Sequence, residues 1–178
     1  MIIGFAGKKR SGKDTIANYL VNKYNFRRYA FGDPVKEVCR ILFGFDDEQL
    51  YGDRKEELDG IGITPREAFQ GIGTEFGRKY LHELFPTLRV ERGGLWMDIF
   101  RRNCGGGDVV VSDVRFGNEA DLIREMGGCV IYLDSGYGVE DGHETERVDL
   151  SYDYVLENRG TLEDFYENFE SLYLKTGV

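Results

Sequence analysis

The feature that most restricts this chain is its beginning. The apolar run Ile2–Ala6 passes into GKKRSGKDT (7–15) and then into DTIANYLVNKY (14–24). An unbroken apolar run of this length, without alternation, is the pattern of a strand buried on both faces. In the segment that follows, Ile16, Ala17, Leu20 and Val21 fall at i, i+1, i+4 and i+5, which makes one helical stripe. Strand, glycine turn, helix is the expected order. Gly7 and Gly12 bracket four residues and Lys13 comes next, matching the spacing G-x-x-x-x-G-K-[ST] except at its last position, where Asp14 stands. In such a loop the glycines let backbone N–H groups turn inward around phosphate oxygens, the lysine reaches over them, and the next helix presents its positive end. The Asp14 carboxylate is itself a hard oxygen ligand for Mg2+, directly or through water, with the Thr15 hydroxyl beside it. Its other reading is a negative charge that stabilises the helix N-terminus.

The remaining pattern alternates strands and helices to the end. RRYAF (27–31) reads as a second strand, and Asp33-Pro34 as the N-cap and first residue of a helix running to about Leu42. Residues 46–60 are acidic and irregular, a solvated loop or short helix. Thr64-Pro65-Arg66-Glu67 has the form of a capping box with proline in the first turn, and opens a long helix to about Leu84. Leu95–Asn103 is a shorter helix, VVVSD (109–113) the clearest central strand, 116–126 a helix, CVIYL (129–133) a strand and YVLEN (154–158) the last strand. Thr161 caps a final helix. Alternation of this kind predicts an α/β fold, a mainly parallel sheet covered on both faces, in a single domain spanning 1–178.

Charge narrows the ligands. A net charge of −9 argues against broad nucleic-acid binding, which needs a basic surface. Basic residues at Lys8–Lys13, Lys36, Arg66 and Arg115 in an otherwise acidic chain suit a small anionic ligand, or else are a scatter of solvated charges. No apolar run approaches the ~20 residues of a membrane-spanning helix. The three cysteines are far apart and form no C-x-x-C, which suits a reducing cytoplasm without disulfides or a zinc site. The two histidines, His82 and His143, cannot form a metal cluster by themselves.

Four further places carry candidate chemistry. Asp113 closes an apolar strand, and Arg115 two residues on would project the same way, at the carboxyl end of the sheet where open α/β folds bind ligands; the alternative is a structural ion pair. On a helix from Thr64, at ~100° per residue, Arg66, Gln70 and Thr74 fall within ~80° of one another, with Gly73 and Gly77 on the same strip. Phe69, Ile72 and Phe76 would then face the core. That strip is either a trough for a ligand or a solvated face with glycines for packing. Trp96, the one tryptophan, either stacks on a base or fills the core. Lys36 either binds an anion or points to water.

Taken together, KRSGKDT (9–15), DPVKEV (33–38), REAFQGIGTEF (66–76), WMDIF (96–100), DVRFGNEADLIREMGGCVIYL (113–133) and DYVLENRGTLEDF (153–165) resemble the phage-type deoxynucleoside monophosphate kinases, members of the P-loop kinases. The stretches run in order over nearly the whole chain, and an Asp after the loop lysine is habitual in that family. The resemblance implies a P-loop NTPase-like three-layer sandwich with a mobile lid at about 134–150 and acceptor-binding helices at about 33–104. It implies transfer of the γ-phosphoryl group of ATP to a (deoxy)nucleoside 5'-monophosphate, with Mg2+, in the cytoplasm (the host's, if the chain is phage-encoded). By matching position, Gly7, Arg10, Ser11, Gly12, Lys13, Asp14 and Thr15 would hold the ATP phosphates and Mg2+. Lys36, Arg66 and Arg115 would hold the acceptor phosphate, Gln70 and Thr74 would place the nucleotide and Trp96 would pack on it. Asp113 and Glu119 would orient acceptor or cationic groups, and Lys13, Arg66, Arg115 and Asp113 would carry catalysis. The lid region departs from the family, which often has an arginine near its start. Here none occurs before Arg147, while His143 and Glu146 resemble a family H-x-x-E. The alternatives are a phosphomevalonate kinase-like enzyme or a non-catalytic ATP-binding switch. The partners implied are small nucleotides, with no nucleic acid and no membrane, and a homodimer is compatible with the family.

Overall fold

A computed structural model describes residues 1–91, 93–136 and 150–177. Arg147 and the His143/Glu146 pair of the lid region lie outside the described residues. The chain divides into two compact units, one formed by residues 1–30 with 104–178 and one by Phe31–Asn103.

The first unit is built on five parallel strands: β1 (Ile2–Ala6), β2 (Arg27–Tyr29), β3 (Val109–Val111), β4 (Cys129–Asp134) and β5 (Tyr154–Glu157), in the order β2-β3-β1-β4-β5. Its helices are α1 (Lys13–Tyr24), α7 (Gly117–Glu125) and α8 (Leu162–Thr176). Successive residues of a strand face opposite sides, and β1 uses both. Ile3 and Phe5 point into a cluster with Ile16, Leu20, Phe165 and Phe169 of α1 and α8. Gly4 points the other way, where a Cβ would stand 2.7 Å from Cδ1 of Ile123 on α7. Helices on both faces of a parallel sheet make the expected three layers, and burying each large side chain fully contributes ~1.5–3 kcal/mol. β2 is shorter than RRYAF suggested, because Ala30 and Phe31 turn the chain toward the next helix.

Helix α8 is also tied to α1 by polar groups. The Tyr19 hydroxyl and Lys23 Nζ donate to Oε1 of Glu170 at 2.6 and 2.8 Å, and the Tyr24 hydroxyl to Oε2 at 2.6 Å. Desolvation pushes the Glu170 carboxyl up, but these three donors pull it further down, below its ordinary range. The same packing raises both tyrosines, Tyr19 mainly by desolvation and Tyr24 mainly by its bond to Glu170.

The second unit is helical. It comprises α2 (Gly32–Phe43), α3 (Asp47–Leu50), a 3-10 turn Arg54–Glu56, α4 (Pro65–Gln70), a π-helix Gly71–Tyr80, α5 (Leu81–Leu84) and α6 (Leu95–Asn103). Thr64 caps α4 as expected, accepting from Glu67 N at 3.1 Å while Glu67 Oε2 accepts from Thr64 N at 2.8 Å. Two expectations are corrected here. Helix α2 begins at Gly32, one residue before Asp33, and has no side-chain cap. The long helix from Thr64 is not α-helical throughout, because Gly71–Tyr80 adopts i→i+5 bonding. In the wider turn Thr74 and Gly77 are buried whereas Ile72 and Phe76, expected to face the core, are only half-buried, and so is Phe69 on α4 before it.

Candidate active site

The loop between β1 and α1 owes its shape to three backbone positions. Gly7 (φ 149°), Arg10 (φ 65°) and Gly12 (φ 98°) all lie at positive φ. A side chain at Gly12 would be strained and would also collide, since a Cβ there would stand 2.6 Å from Asn158 Nδ2 and 3.3 Å from the Phe165 ring. Lys13 Nζ donates to the carbonyls of Gly7 and Lys8, both at 2.7 Å, and so lies across the loop. Ser11 is buried, and its carbonyl accepts from Asn158 Nδ2 at 3.0 Å. Arg10, Ser11, Gly12, Lys13, Asp14 and Thr15 line a shallow depression.

The start of α1 is electrostatically unlike that of α4 or α8. There Thr64 and Thr161 cap the first-turn N–H groups, whereas Gly12 has no side chain and α1 has no side-chain cap. The first N–H groups of a helix have no partner within it. An anion of several acceptor oxygens, such as a phosphate chain, satisfies them and gains from the helix dipole.

Asp14, in that first turn, is three-quarters exposed, and its Oδ1 pairs with Arg28 Nη2 at 2.7 Å. Arg28 is also held by Ser112, whose buried hydroxyl accepts from Nε at 3.3 Å and Nη2 at 3.2 Å. Among the described residues no group of three or more His, Cys, Asp and Glu could cage a metal. The Asp14 carboxylate is a hard oxygen donor, and Mg2+ is commonly held by one or two carboxylates plus substrate phosphates.

β1 and β3 are adjacent and parallel, with Gly4 opposite Val111, so the 7–12 loop and residues 112–115 leave the same carboxyl edge of the sheet. Val114 N bonds the Phe5 carbonyl at 3.2 Å, tying the two together. Asp113 and Arg115, half-buried, flank Val114. Glu119 is 2% exposed, and its Oε2 accepts from the N–H groups of Arg115 at 2.8 Å and Phe116 at 3.2 Å. It holds the turn that carries Arg115.

The other candidates belong to the helical unit. Lys36 lies 3.6 Å from Asp33 and with its Nζ 4.2 Å from the centre of the Tyr51 ring. Arg66 pairs with Glu56 at 2.9 Å. Gln70 is half-buried at the end of α4, and Thr74 is buried on the π-helix. Trp96 is 3% exposed, and its Nε1 donates to the Gly73 carbonyl at 2.8 Å.

Arg28 and Asn158 were missed by the sequence reading, as was the Arg159–Asp134 ion pair beside Asn158. Asn158 had a signal, since it directly follows the last strand at the carboxyl edge where ligands gather. Arg28 had none, because only the pairing of β2 with β3 brings it to Ser112.

A parallel sheet whose first strand ends in a lysine-bearing glycine loop, next to an uncapped helix N-terminus, defines a P-loop nucleotide-binding protein. The family model described as deoxynucleotide monophosphate kinase matches residues 1–89. A protein of Acanthamoeba polyphaga mimivirus, provisionally named deoxynucleotide monophosphate kinase, is 41% identical over 187 residues, covering 96% of this chain and 95% of that one. The deoxynucleoside-5'-monophosphate kinase of Escherichia phage T5 is 25% identical over 190 residues, covering 70% and 72%. Among solved structures, TT1252 from Thermus thermophilus aligns over 99% of this chain and 97% of its own, with 15% identity and a TM-score of 0.49, too distant a likeness to say more. This chain belongs to the deoxynucleotide monophosphate kinase family. It is a nucleotide kinase. Among the described residues no helix is long and apolar enough to cross a membrane.

Proposed function

We propose that the whole of 1–178 acts as one kinase domain that transfers the γ-phosphoryl group of ATP to a deoxynucleoside 5'-monophosphate, giving ADP and the deoxynucleoside diphosphate. The observation that carries this reading is the 7–15 loop, where Lys13 lies across the Gly7 and Lys8 carbonyls beside an uncapped helix start. Family membership supplies the acceptor class.

In this reading the loop N–H groups and Lys13 hold the β- and γ-phosphates of ATP, with Gly7, Arg10, Ser11 and Gly12 shaping the loop and Thr15 closing it. Asp14, oriented by Arg28, and Asp113 would hold Mg2+, which when bound neutralises phosphate charge. Lys36, Arg66 and Arg115 bind the acceptor phosphate, and Gln70 and Thr74 place its nucleoside. The attacking atom is an acceptor phosphate oxygen, already ionised at neutral pH, so the protein needs no general base. Its contribution is alignment of two nucleotides and stabilisation of charge spreading over the transferred group. Glu119 contributes by fixing the Arg115 turn. The three cysteines are free and buried, which fits a reducing compartment such as the cytoplasm.

The test is to incubate the chain with ATP, Mg2+ and each deoxynucleoside and ribonucleoside monophosphate in turn, and to separate the products. Diphosphate formed from one or a few acceptors, and lost in Lys13→Ala and Arg115→Ala, is the expected result. ADP released without any acceptor product would overturn it in favour of a hydrolase.

A further inference from the structure

The π-helix Gly71–Tyr80 spans ten residues, whereas π segments are usually single-turn bulges inside α-helices. Something outside its own ladder holds it, and the contacts point to Trp96. The indole Nε1–H donates to the Gly73 carbonyl at 2.8 Å. A Cβ at Gly77 would stand 2.6 Å from Cζ2 and 2.7 Å from Cε2 and Nε1 of the same ring. The indole therefore occupies the space that any other residue at 77 would need, and it grips the backbone one turn earlier. Gly73 is close-packed too, since a Cβ there would meet Val35 at 3.4 Å.

Thr74 lies between these two contacts. It is 7% exposed. An i→i+5 ladder takes more residues per turn than the 3.6 of an α-helix. Where Thr74 points relative to Gln70 consequently depends on where the π register begins and ends.

We propose that Trp96 is a positioning residue for acceptor selection. By bonding Gly73 and filling the space over Gly77, it holds the π register and so sets the direction in which Gln70 and Thr74 meet the base and sugar of the monophosphate. Trp96 acts through the helix backbone and does not itself stack on the base. The proposal rests on the acceptor roles given to Gln70 and Thr74 above.

The experiment measures kcat, the KM for ATP and the KM for each deoxynucleoside monophosphate in Gly77→Ala, Trp96→Phe and the double variant, after the wild-type chain has been shown to phosphorylate at least one of them. In Gly77→Ala the acceptor KM is expected to rise on the order of tenfold, the effect of a lost ligand hydrogen bond, with a changed ranking of the bases. The KM for ATP stays put. Trp96→Phe, lacking the N–H and the ring atoms that crowd Gly77, shifts the acceptor KM less. In the double variant the phenyl ring leaves room for the alanine methyl, and the acceptor KM returns toward that of Trp96→Phe. Acceptor KM and base ranking unchanged in both single variants would sink the proposal, as would equal rises for ATP and acceptor. Should Gly77→Ala lose its cooperative melting transition, the wild-type chain decides. Trp96 is its sole tryptophan, and its emission is expected to shift on titration with the preferred monophosphate but not with ADP. No shift at a concentration that calorimetry shows to be saturating overturns the proposal. A wild-type chain inert toward every monophosphate defeats the kinase reading itself, a separate and recognisable result.

Discussion

The helix after the glycine loop and the helix after Thr64 both start from strong local signals, yet only the first follows its pattern to the end. In α1 the determining features are local: positive φ at Gly7, Arg10 and Gly12, a lysine in reach of its own loop, and a stripe in which Ile16, Ala17 and Leu20 are buried as spaced and Val21 half-buried beside them. The second begins as its capping box dictates and then leaves the α register at Gly71. Its register is coupled to an indole from another helix, well removed in sequence. Backbone geometry encoded by glycines within a few residues is robust. A face encoded by helical period lasts only while tertiary packing keeps the period.

The largest expected effect tests the first region. Lys13→Ala should lower kcat/KM by ~10²–10³, the scale of a lost charge-stabilising donor, with a melting temperature close to wild type. Steady-state ADP release and a thermal melt check it. An equal loss of stability would mean that the lysine serves the fold through its bonds to the Gly7 and Lys8 carbonyls.

Glycine substitutions sharpen the comparison. Gly12→Ala combines a positive φ with a collision against Asn158 and Phe165, and should cost ~1–3 kcal/mol by urea denaturation. Gly71→Ala, at ordinary helical angles with nothing within 4 Å of a Cβ, should be neutral or stabilising by up to ~1 kcal/mol. A destabilised Gly71→Ala would show that the π register itself needs glycine at its first residue. Smaller again, Thr64→Ala and Thr161→Ala should each cost ~1 kcal/mol in the same urea titration. The two losses should match, because both caps are complete capping boxes.

Acid should then reach both units through their carboxylates. Backbone and side-chain bonds from Thr64 hold Glu67 below its ordinary 4.5, and those from Thr161 hold Asp164 below 3.8. Glu170 lies below 4.5 because donors from Lys23, Tyr19 and Tyr24 outweigh desolvation. A folded-state value below the unfolded one means that the unfolded chain binds protons first. The stabilisation is therefore fully present above about these ordinary values and is lost as pH falls through the lowered ones. Urea midpoints between pH 6 and pH 3 should drop accordingly, and Glu170→Gln should flatten the acid limb. An acid limb unchanged by Glu170→Gln would remove that carboxylate from the account.

Much of the sheet unit was legible because its signals are local or strictly periodic. Ile2–Ala6 and the Thr161 cap fall where the residues place them, as does Leu95–Asn103 in the helical unit. The candidate site was legible in part. Glycine spacing alone marked the loop, but nothing along the chain indicated that Arg28 would clasp Asp14, that Asn158 would bond the Ser11 carbonyl, or that Glu119 would turn inward to hold the Arg115 backbone.

Alone, the amino-acid sequence determined the strand–loop–helix start, the α/β alternation and the family, since each depends on residues close together or on stretches matched in order. Only the tertiary structure decided the strand order, the π register of Gly71–Tyr80 and the buried place of Trp96 beneath it. The physical reason is range. Dihedral preferences and caps act over a few bonds, whereas a shared volume such as that of the indole and the missing Gly77 side chain exists only once distant helices have packed.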